Sequence, residues 1–386
     1  MTARVALDAR YLLGRPSGIG AYVQAIAERA PGLRPDWQFD LWLKRGAPST
    51  GLAGGNVSER SVNAAANSLP TALWPTWLVD FKGIDLYHAT FNILGRGIPS
   101  RVVTTVHDLM WMLHPAWCEG VSLALPFTTA FYSASIMNAL RRSQRIIAIS
   151  AATADSIGQH FPKAKPKVRV VHHGVEPRFR PPASEAGVRA ALAPVFGDRK
   201  VERYLLVVGQ NAPSKNHPLI LEAFAKANLP QDVSLVLVQR LYQRGRWGFS
   251  GEPELAKKAR QLGILDRVVW LERVTDADVV HLFQGALGLV QFSKFEGFGM
   301  PVLEAIACGT PVVASDIAPL VEVLGGAALH AHLDVPSLAD ALRRLATNPA
   351  LEADLRGRGL ERARAFSWER CAREHVEVYE EALEAP

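Results

Sequence analysis

The sequence predicts an α/β protein built from two doubly wound parallel sheets. Short apolar segments alternate with helical periodicity as far as about residue 330, as expected when strands are joined by helical crossovers. The alternation is interrupted at Pro177–Pro182, where clustered prolines indicate a linker. Because 386 residues usually make more than one domain, we expect domains at 1–178 and 179–366, followed by a C-terminal helix at 367–386.

Six apolar segments are predicted as the strands of the first domain: Val5–Leu7, Trp37–Leu43, Asp85–His88, Arg101–Val106, Arg145–Ile149 and Val168–Val171. Residues 44–69 carry several Gly, Ser and Asn and are predicted as a loop. Val121–Arg142 is predicted as a long helix, and Ser150 as the N-cap of the helix that follows.

Aromatic residues recur at near-helical spacing in Leu69–Phe81, among them Trp74 and Trp77. One interpretation is the core-facing side of a helix. The alternative is an exposed aromatic surface for a sugar acceptor or a lipid.

The second domain repeats the same rhythm. Its predicted strands are Tyr204–Val208, Ser234–Gln239, Val268–Leu271, Leu287–Phe292, Pro311–Ala314 and Ala327–His330. Helical segments lie between them, which predicts a second parallel sheet.

Composition and charge are those of an ordinary soluble protein. Apolar residues make up 48% of the chain, charged residues 21%, and the net charge is +6. No dense basic run indicates nucleic-acid binding, and neither a signal peptide nor a bilayer-spanning apolar stretch is recognised. The three cysteines lack metal or redox spacing. We therefore expect a cytoplasmic protein whose basic bias allows peripheral contact with the inner membrane face.

The segment Phe295–Ser315 has the pattern of a turn, a helix and a strand. Its glycines allow a sharp turn, and Pro301 suits the first position of a helix. The backbone amides and the helix dipole then form a site for phosphate or another anion. Glu296 precedes the turn, and Glu304 is expected to face a largely buried pocket. On these residues alone, a ligand site and a structural turn both remain open.

Glu296–Pro301 with Glu304, followed by Gly309–Ser315, resembles the E-x7-E region of the retaining GT-B glycosyltransferases of family 4, also called glycosyltransferase group 1. The resemblance covers nearly the whole chain. It implies two Rossmann-like domains that face a cleft, with the last helix crossing back to the first domain. It also implies that the donor is bound by the turn residues Gly297, Phe298, Gly299 and Met300, that Glu304 holds the ribose, and that Glu296 touches the donor sugar.

A second segment of the same family pattern follows the first strand of the second domain. Lys215 lies in a turn before a helix, where a cation suits phosphate, and the resemblance implies that it binds the donor diphosphate and assists catalysis. Ser214 stands where the family often has Arg. Arg240 is the expected replacement, with Arg244 and Arg246 as alternatives.

The glycine loop near the N-terminus contains Gly18 and Gly20. It is an incomplete dinucleotide fingerprint, because Val23 occupies the third glycine position. The resemblance implies instead that this loop faces the donor phosphates and that Tyr22 contacts the acceptor.

His107 and Asp108 follow the strand Arg101–Val106, where open α/β sheets bind ligands. A histidine that is merely hydrogen-bonded at a strand end is the plainer interpretation. The resemblance implies a catalytic His107 that contacts the sugar or the acceptor. Asp108 is assigned to the acceptor site, where it either orients the His107 ring or caps the next helix.

Asp276 and Asp278 resemble the metal motif of another glycosyltransferase class, but they precede an apolar helix and are predicted to cap it. The resemblance implies transfer without a metal or other cofactor.

The function implied is transfer of a hexose, with anomeric retention, from a nucleotide diphosphate sugar to a glycan, a glycolipid or another acceptor hydroxyl. GDP-mannose is the first candidate donor, from similarity of the His107 region to bacterial mannosyltransferases. The rivals are an NAD-dependent oxidoreductase, a sugar-nucleotide epimerase or phosphorylase of the same architecture, and a non-catalytic sugar-nucleotide-binding partner.

Overall fold

The computed structural model describes residues 2–12, 18–73, 75–119, 125–238 and 254–385. They divide into two units. Unit 1 comprises the chain up to Ala116, the stretch that ends at Gly174, and the chain from Phe366 onward. Unit 2 comprises Val175–Ala365 and a short stretch that starts at Trp117. None of the helices in these described residues is long and apolar enough to cross a membrane.

Unit 1 contains a parallel sheet of seven described strands: β1 Arg4–Asp8, β2 Gln38–Lys44, β3 Val57–Val62, β4 Leu86–Ala89, β5 Arg101–Val106, β6 Arg145–Ala148 and β7 Val168–Val170. They are ordered β3-β2-β1-β4-β5-β6-β7. The helices of this part of the chain are α1 Gly18–Leu33, α2 Leu69–Leu73, α3 Pro75–Leu78, α4 Met110–Leu113, α5 Ala116–Glu119, α6 Leu125–Arg142 and α7 Ala151–His160. Of these, α5 belongs to unit 2 from Trp117 onward.

Unit 2 repeats the design with strands β8 Arg203–Val208, β9 Val233–Val238, β10 Val268–Leu271, β11 Gly288–Gln291, β12 Val312–Ser315 and β13 Leu329–Ala331. Within the described residues their order is β10-β9-β8-β11-β12-β13. The helices are α8 Glu185–Phe196, α9 His217–Lys226, α10 Glu254–Gln261, α11 Asp276–Gly285, α12 Met300–Ala307, α13 Ala318–Leu324, α14 Val335–Thr347 and α15 Pro349–Ala363.

In both sheets the strand order reverses once, between β1 and β4 and between β8 and β11. Open α/β sheets bind ligands outside the carboxyl ends of the strands at such a point. The last helix, α16 Trp368–Glu384, belongs to unit 1 and packs against α1. The prediction of two doubly wound domains with a returning C-terminal helix is confirmed.

Two predictions for unit 1 are wrong. The predicted loop 44–69 contains β3, an edge strand next to β2. Most residues of β3 are polar, so this segment lacks the alternation of apolar and polar residues from which a strand is predicted. Leu69–Phe81 is not one core-facing helix, because it is split at Pro75 into α2 and α3. Trp77 is 85% exposed although Phe81 is buried. Trp74 lies outside the described residues.

Candidate active site

Lys215 and Glu296 are brought together by the strand order of unit 2. The loop after β8 carries Lys215 and the loop after β11 carries Glu296, and these strands are neighbours at the reversal point. Lys215 Nζ donates a hydrogen bond to Glu296 Oε1 over 2.6 Å. The backbone N–H of Lys294 also bonds the Ser214 carbonyl at 2.8 Å. The two residues were expected on different parts of the donor, yet here they form one ion pair.

Glu296 is held by two neutral donors as well as by the lysine. Gln291 Nε2 and Ser293 Oγ donate to the same oxygen, Oε1, at 2.6 and 2.7 Å. The carboxylate side chain is 11% exposed and the Lys215 side chain is 24% exposed. A carboxylate oxygen with three hydrogen-bond donors is fixed in position.

The turn before α12 requires glycine. Gly299 has φ of 107°, and a Cβ there would lie 2.7 Å from Leu320 Cδ2. Pro301 lies in the first turn of α12, and Gly309 follows its C-cap with φ of 78°, as the sequence predicted. The N-terminus of α12 therefore presents backbone amides and the positive end of the helix dipole at the turn that runs from Gly297 to Met300. Phe298 is buried and anchors the turn.

Glu304 lies one turn into α12. It is half-buried, whereas the sequence predicted that it would face a largely buried pocket. Its neighbours Leu303 and Ala305 are fully buried. The carboxylate is thus placed at the boundary between core and solvent, where a polar ligand can reach it.

Lys215 ends a short 3-10 turn, Pro213–Lys215, just before α9. Asn216 follows in the left-handed conformation, with φ of 58°. His217 begins α9 and is buried, and burial together with the charge of Lys215 lowers its pKa to about 4. A neutral His217 leaves Lys215 as the cation of this turn.

In unit 1, His107 lies just beyond the end of β5 and is buried. Its Nε2 donates to the Thr90 carbonyl at 2.9 Å, while its backbone N–H donates to Asn92 Oδ1 at 2.8 Å. Burial lowers the pKa of His107 to about 4. The ring is therefore neutral near pH 7, and because Nε2 carries the proton, Nδ1 carries a lone pair.

Asp108 Oδ1 accepts from the backbone N–H of Met110 at 2.9 Å, although the N-cap of α4 is Leu109. The roles expected for Asp108 stay predictions. The His107 ring is oriented by its hydrogen bond to the Thr90 carbonyl. Gly18 is exposed at the first position of α1, and Gly20, two residues later, is buried.

The assignment of Tyr22 to the acceptor is wrong. Tyr22 is fully buried, and its hydroxyl bonds Thr105 Oγ1 at 2.6 Å and His375 Nε2 at 2.7 Å. His375 Nδ1 donates to the Cys371 carbonyl at 2.7 Å, so its Nε2 must accept from Tyr22 when the ring is neutral. Tyr22 therefore ties α1 to α16, and its burial excludes direct contact with an acceptor.

The same network continues to β4. Because Tyr22 donates to His375, it accepts from Thr105, and Thr105 in turn accepts from His88 Nε2 at 2.8 Å. His88 Nδ1 then accepts from the Tyr379 hydroxyl at 2.8 Å. Burial lowers the pKa of His375 to about 4 and that of His88 well below 6.5. With both rings neutral, every hydrogen bond of the network has one donor and one acceptor.

Of two further predictions, the one for Arg240 stays a prediction and the one for Asp278 can be compared with the structure. Arg240 lies outside the described residues, as do the alternatives Arg244 and Arg246. The helix-capping prediction for Asp278 is confirmed, since it forms a capping box with Thr275 at the start of α11. Asp276 pairs with Arg178 at 3.3 Å.

The partners of Glu296, Gln291 and Ser293, were not predicted from the sequence. Gln291 is a polar residue at the end of the apolar strand β11, and Ser293 follows two residues later. The available signal was a polar residue at the end of an apolar run that leads to the two glutamates of the E-x7-E segment. The His88–Tyr22–His375 network had no such signal, because its members lie far apart in sequence.

Comparison with known proteins agrees with this geometry. Residues 189–362 match the model "Glycosyl transferases group 1", and residues 18–179 match "Glycosyltransferase Family 4". A D-inositol 3-phosphate glycosyltransferase of Streptomyces coelicolor is 31% identical over 412 residues, which cover 96% of this chain and 88% of that protein. An O-antigen chain mannosyltransferase B of Escherichia coli is 32% identical over 305 residues, covering 78% and 75%.

Among solved structures, a sucrose-phosphate synthase of Thermosynechococcus elongatus superimposes with a TM-score of 0.75 at 20% identity, over 100% of both chains. That likeness concerns the fold. Together with the relatives in sequence, it leads to one conclusion: the chain is a glycosyltransferase of the GT-B fold and belongs to glycosyltransferase family 4.

Proposed function

We propose that the protein transfers a hexose from a nucleotide diphosphate sugar to a glycan or lipid-linked hydroxyl, with retention of anomeric configuration. The observation that carries the proposal is the Lys215–Glu296 pair at the strand reversal of unit 2, beside the N-terminus of α12. A cation and a carboxylate held side by side suit a ligand with an anionic part and a hydroxyl-rich part.

Unit 2 is proposed to contribute to the reaction mainly by electrostatic stabilisation of the leaving group. When the glycosidic bond to the diphosphate breaks, negative charge grows on the leaving oxygens. Lys215 and the backbone amides at the start of α12 are the groups proposed to stabilise that charge. Lys215 must exchange its partner, Glu296, for the diphosphate, or contact both at once.

The remaining roles follow from hydrogen-bonding capacity. Glu296, fixed by Gln291 and Ser293, is proposed to accept from a sugar hydroxyl. Glu304 is proposed to accept from the vicinal ribose hydroxyls. His107, neutral and with its lone pair on Nδ1, is proposed to accept a hydrogen bond from the sugar or the acceptor rather than to supply charge.

Retention is proposed to follow a same-face route. The leaving phosphate takes the proton of the attacking hydroxyl, so that the new bond forms on the face from which the diphosphate departs. No metal is assigned a role in this step. Mannose, from GDP-mannose, is the first candidate sugar, and the name of the Escherichia coli relative supports mannosyl transfer.

A donor screen followed by product analysis tests the proposal. GDP-mannose, UDP-glucose and dTDP-glucose are compared by thermal shift, because a ligand at 100 times its Kd adds about 2.7 kcal/mol of stability. The stabilising donor is then incubated with glycan and lipid-linked acceptors, and the anomeric configuration of the product is read by NMR. An inverted product, or epimerisation of the donor without any acceptor, would refute the proposal.

A further inference from the structure

An apolar groove lies in unit 1, and neither His107 nor Asp108 is among its lining residues. It has a volume of about 570 Å3 and is lined by residues of α2, of the 94–96 segment and of α6. That volume is within the roughly 300–1,000 Å3 range of ligand pockets. Its floor includes the buried Leu94 and Ala72.

The walls of this groove are fixed to one another. Asn138 Nδ2 on α6 donates to the carbonyls of Leu94 and Gly95 at 2.9 and 3.1 Å. The backbone N–H of Arg96 donates to the Ala72 carbonyl of α2 at 3.0 Å. A Cβ at Gly95 would lie 2.4 Å from the Thr71 carbonyl oxygen, so the close approach of these segments requires glycine. The groove is therefore a built feature of the fold.

Exposed apolar side chains concentrate around it. Among the described residues, half of the large apolar side chains that are exposed belong to α2, α3 and α6: Leu69, Leu73, Trp77 and Phe127. Phe127 is 79% exposed and lines the groove. Exposed apolar groups gathered in this way mark an interaction site.

The charge at the groove has one sign. Arg96 is the charged side chain among the lining residues that the structure describes, and it is exposed. Arg141 and Arg142 are also exposed, at the end of α6, but they are not among the lining residues. An apolar groove with a cation at its edge is complementary to an amphiphile with a hydrocarbon chain and an anionic head.

We propose that this groove binds the hydrocarbon chain of a lipid-linked acceptor, with the acceptor phosphate at Arg96. The inference rests on the proposed function, because it selects the lipid-linked class from the acceptors considered there. The chain is held by burial of CH2 groups, and the phosphate fixes which end of the acceptor leaves the groove.

The probe for this site is dodecyl phosphate below its micellar concentration, with binding measured by calorimetry. Affinity should rise about fourfold for each CH2 from octyl to dodecyl phosphate, while inorganic phosphate alone should not compete. Ala134→Trp, at an exposed α6 position that lines the groove, should weaken binding at least tenfold. Ala130→Trp, exposed on α6 but outside the lining, is the matched control and should bind as the unchanged protein does.

The head is tested separately. Arg96→Gln should weaken dodecyl phosphate about tenfold and leave the neutral dodecyl maltoside unchanged, whereas Arg141→Gln should alter neither. Equal loss for both ligands in Arg96→Gln would overturn the placement of the phosphate.

Three results would overturn the proposal as a whole: no binding, binding that Ala134→Trp does not weaken, or displacement by inorganic phosphate alone. Binding only to phosphatidylglycerol vesicles would also overturn it, since the patch would then contact a membrane surface rather than one chain. Nucleoside diphosphate binding, measured on the same samples, separates the two proposals. Loss of dodecyl phosphate binding with intact nucleotide binding refutes the groove alone, and absent nucleotide binding refutes the proposed function.

Discussion

Lowering the pH from 7 to 5 should destabilise unit 1 through its buried neutral histidines. His107 and His375 each have a pKa of about 4 in the folded chain, against 6.5 when exposed. The unfolded chain therefore binds more protons between these values, so stability is full above about pH 6.5 and is lost as the pH falls toward 4. A pH of 5 is about 1.5 units below 6.5. At about 1.36 kcal/mol per unit, each of the two histidines then lowers the free energy of unfolding by about 2 kcal/mol.

Protonation of His375 reverses hydrogen bonds in this network. Nε2 would donate to the Tyr22 hydroxyl, which would then donate to Thr105 Oγ1. The loss of stability comes from burying the charged imidazolium between α1 and α16, since desolvation is the main cause of the lowered pKa. His88 is buried in the same network with its pKa well below 6.5, so it adds to the loss.

Urea unfolding followed by fluorescence at pH 7.5, 6.5, 5.5 and 5.0 measures this effect. His375→Gln should be less stable at pH 7.5 but should lose less stability between pH 6.5 and 5. His160→Gln, at an exposed position of α7, is the matched control and should follow the profile of the unchanged protein. A free energy of unfolding that is flat down to pH 5, or a slope that His375→Gln leaves unaltered, would refute the reasoning.

Further predictions concern single residues. Glu304→Gln should weaken nucleoside diphosphate and nucleotide sugar alike, by about tenfold if a charged hydrogen bond to the ribose is lost; calorimetry with both ligands checks this, and a loss for the sugar nucleotide alone would argue against ribose binding. Asp276→Asn with Asp278→Asn should cost no more than about 1 kcal/mol of stability through the α11 cap and spare transfer activity; activity that EDTA abolishes and manganese restores would contradict this. Tyr22→Phe should cost about 1–3 kcal/mol, because Thr105 and His375 lose a buried partner, while KM for the acceptor stays unchanged; a raised KM with intact stability would return Tyr22 to the acceptor site.

Local signals explain what the sequence predicted well. The ends of α12 are set by the backbone conformations of Gly299, Pro301 and Gly309. Ser150 caps α7 by accepting a hydrogen bond from the Thr153 amide. The turn of Lys215 is likewise local. Strand alternation placed Lys215 and Glu296 each after a strand of the second domain, but neither the adjacency of those strands nor the ion pair could be predicted from the pattern.

What the sequence could not predict depends on distant partners. The Tyr22 hydroxyl bonds a residue 353 positions away, His375, so its burial is decided by tertiary packing. β3 is an edge strand whose polar residues resemble a loop. Trp77 is exposed because Pro75 divides the expected helix, and periodicity across that break had no meaning.

The central claim is that Lys215 and Glu296 bind different parts of one donor, and nucleoside diphosphate affinity of two variants tests it most directly. The ligand is the diphosphate of the nucleotide that the donor screen selects, and Lys226→Ala, exposed at the far end of α9, is the control. Lys215→Ala should weaken diphosphate binding by about 1.5–3 kcal/mol, the range for hydrogen bonds to charged groups. Glu296→Gln should keep it within about threefold, or tighten it because Lys215 loses a competing anion, and should lower turnover instead. Unchanged diphosphate affinity in Lys215→Ala, or an equal loss in Glu296→Gln, would contradict the account.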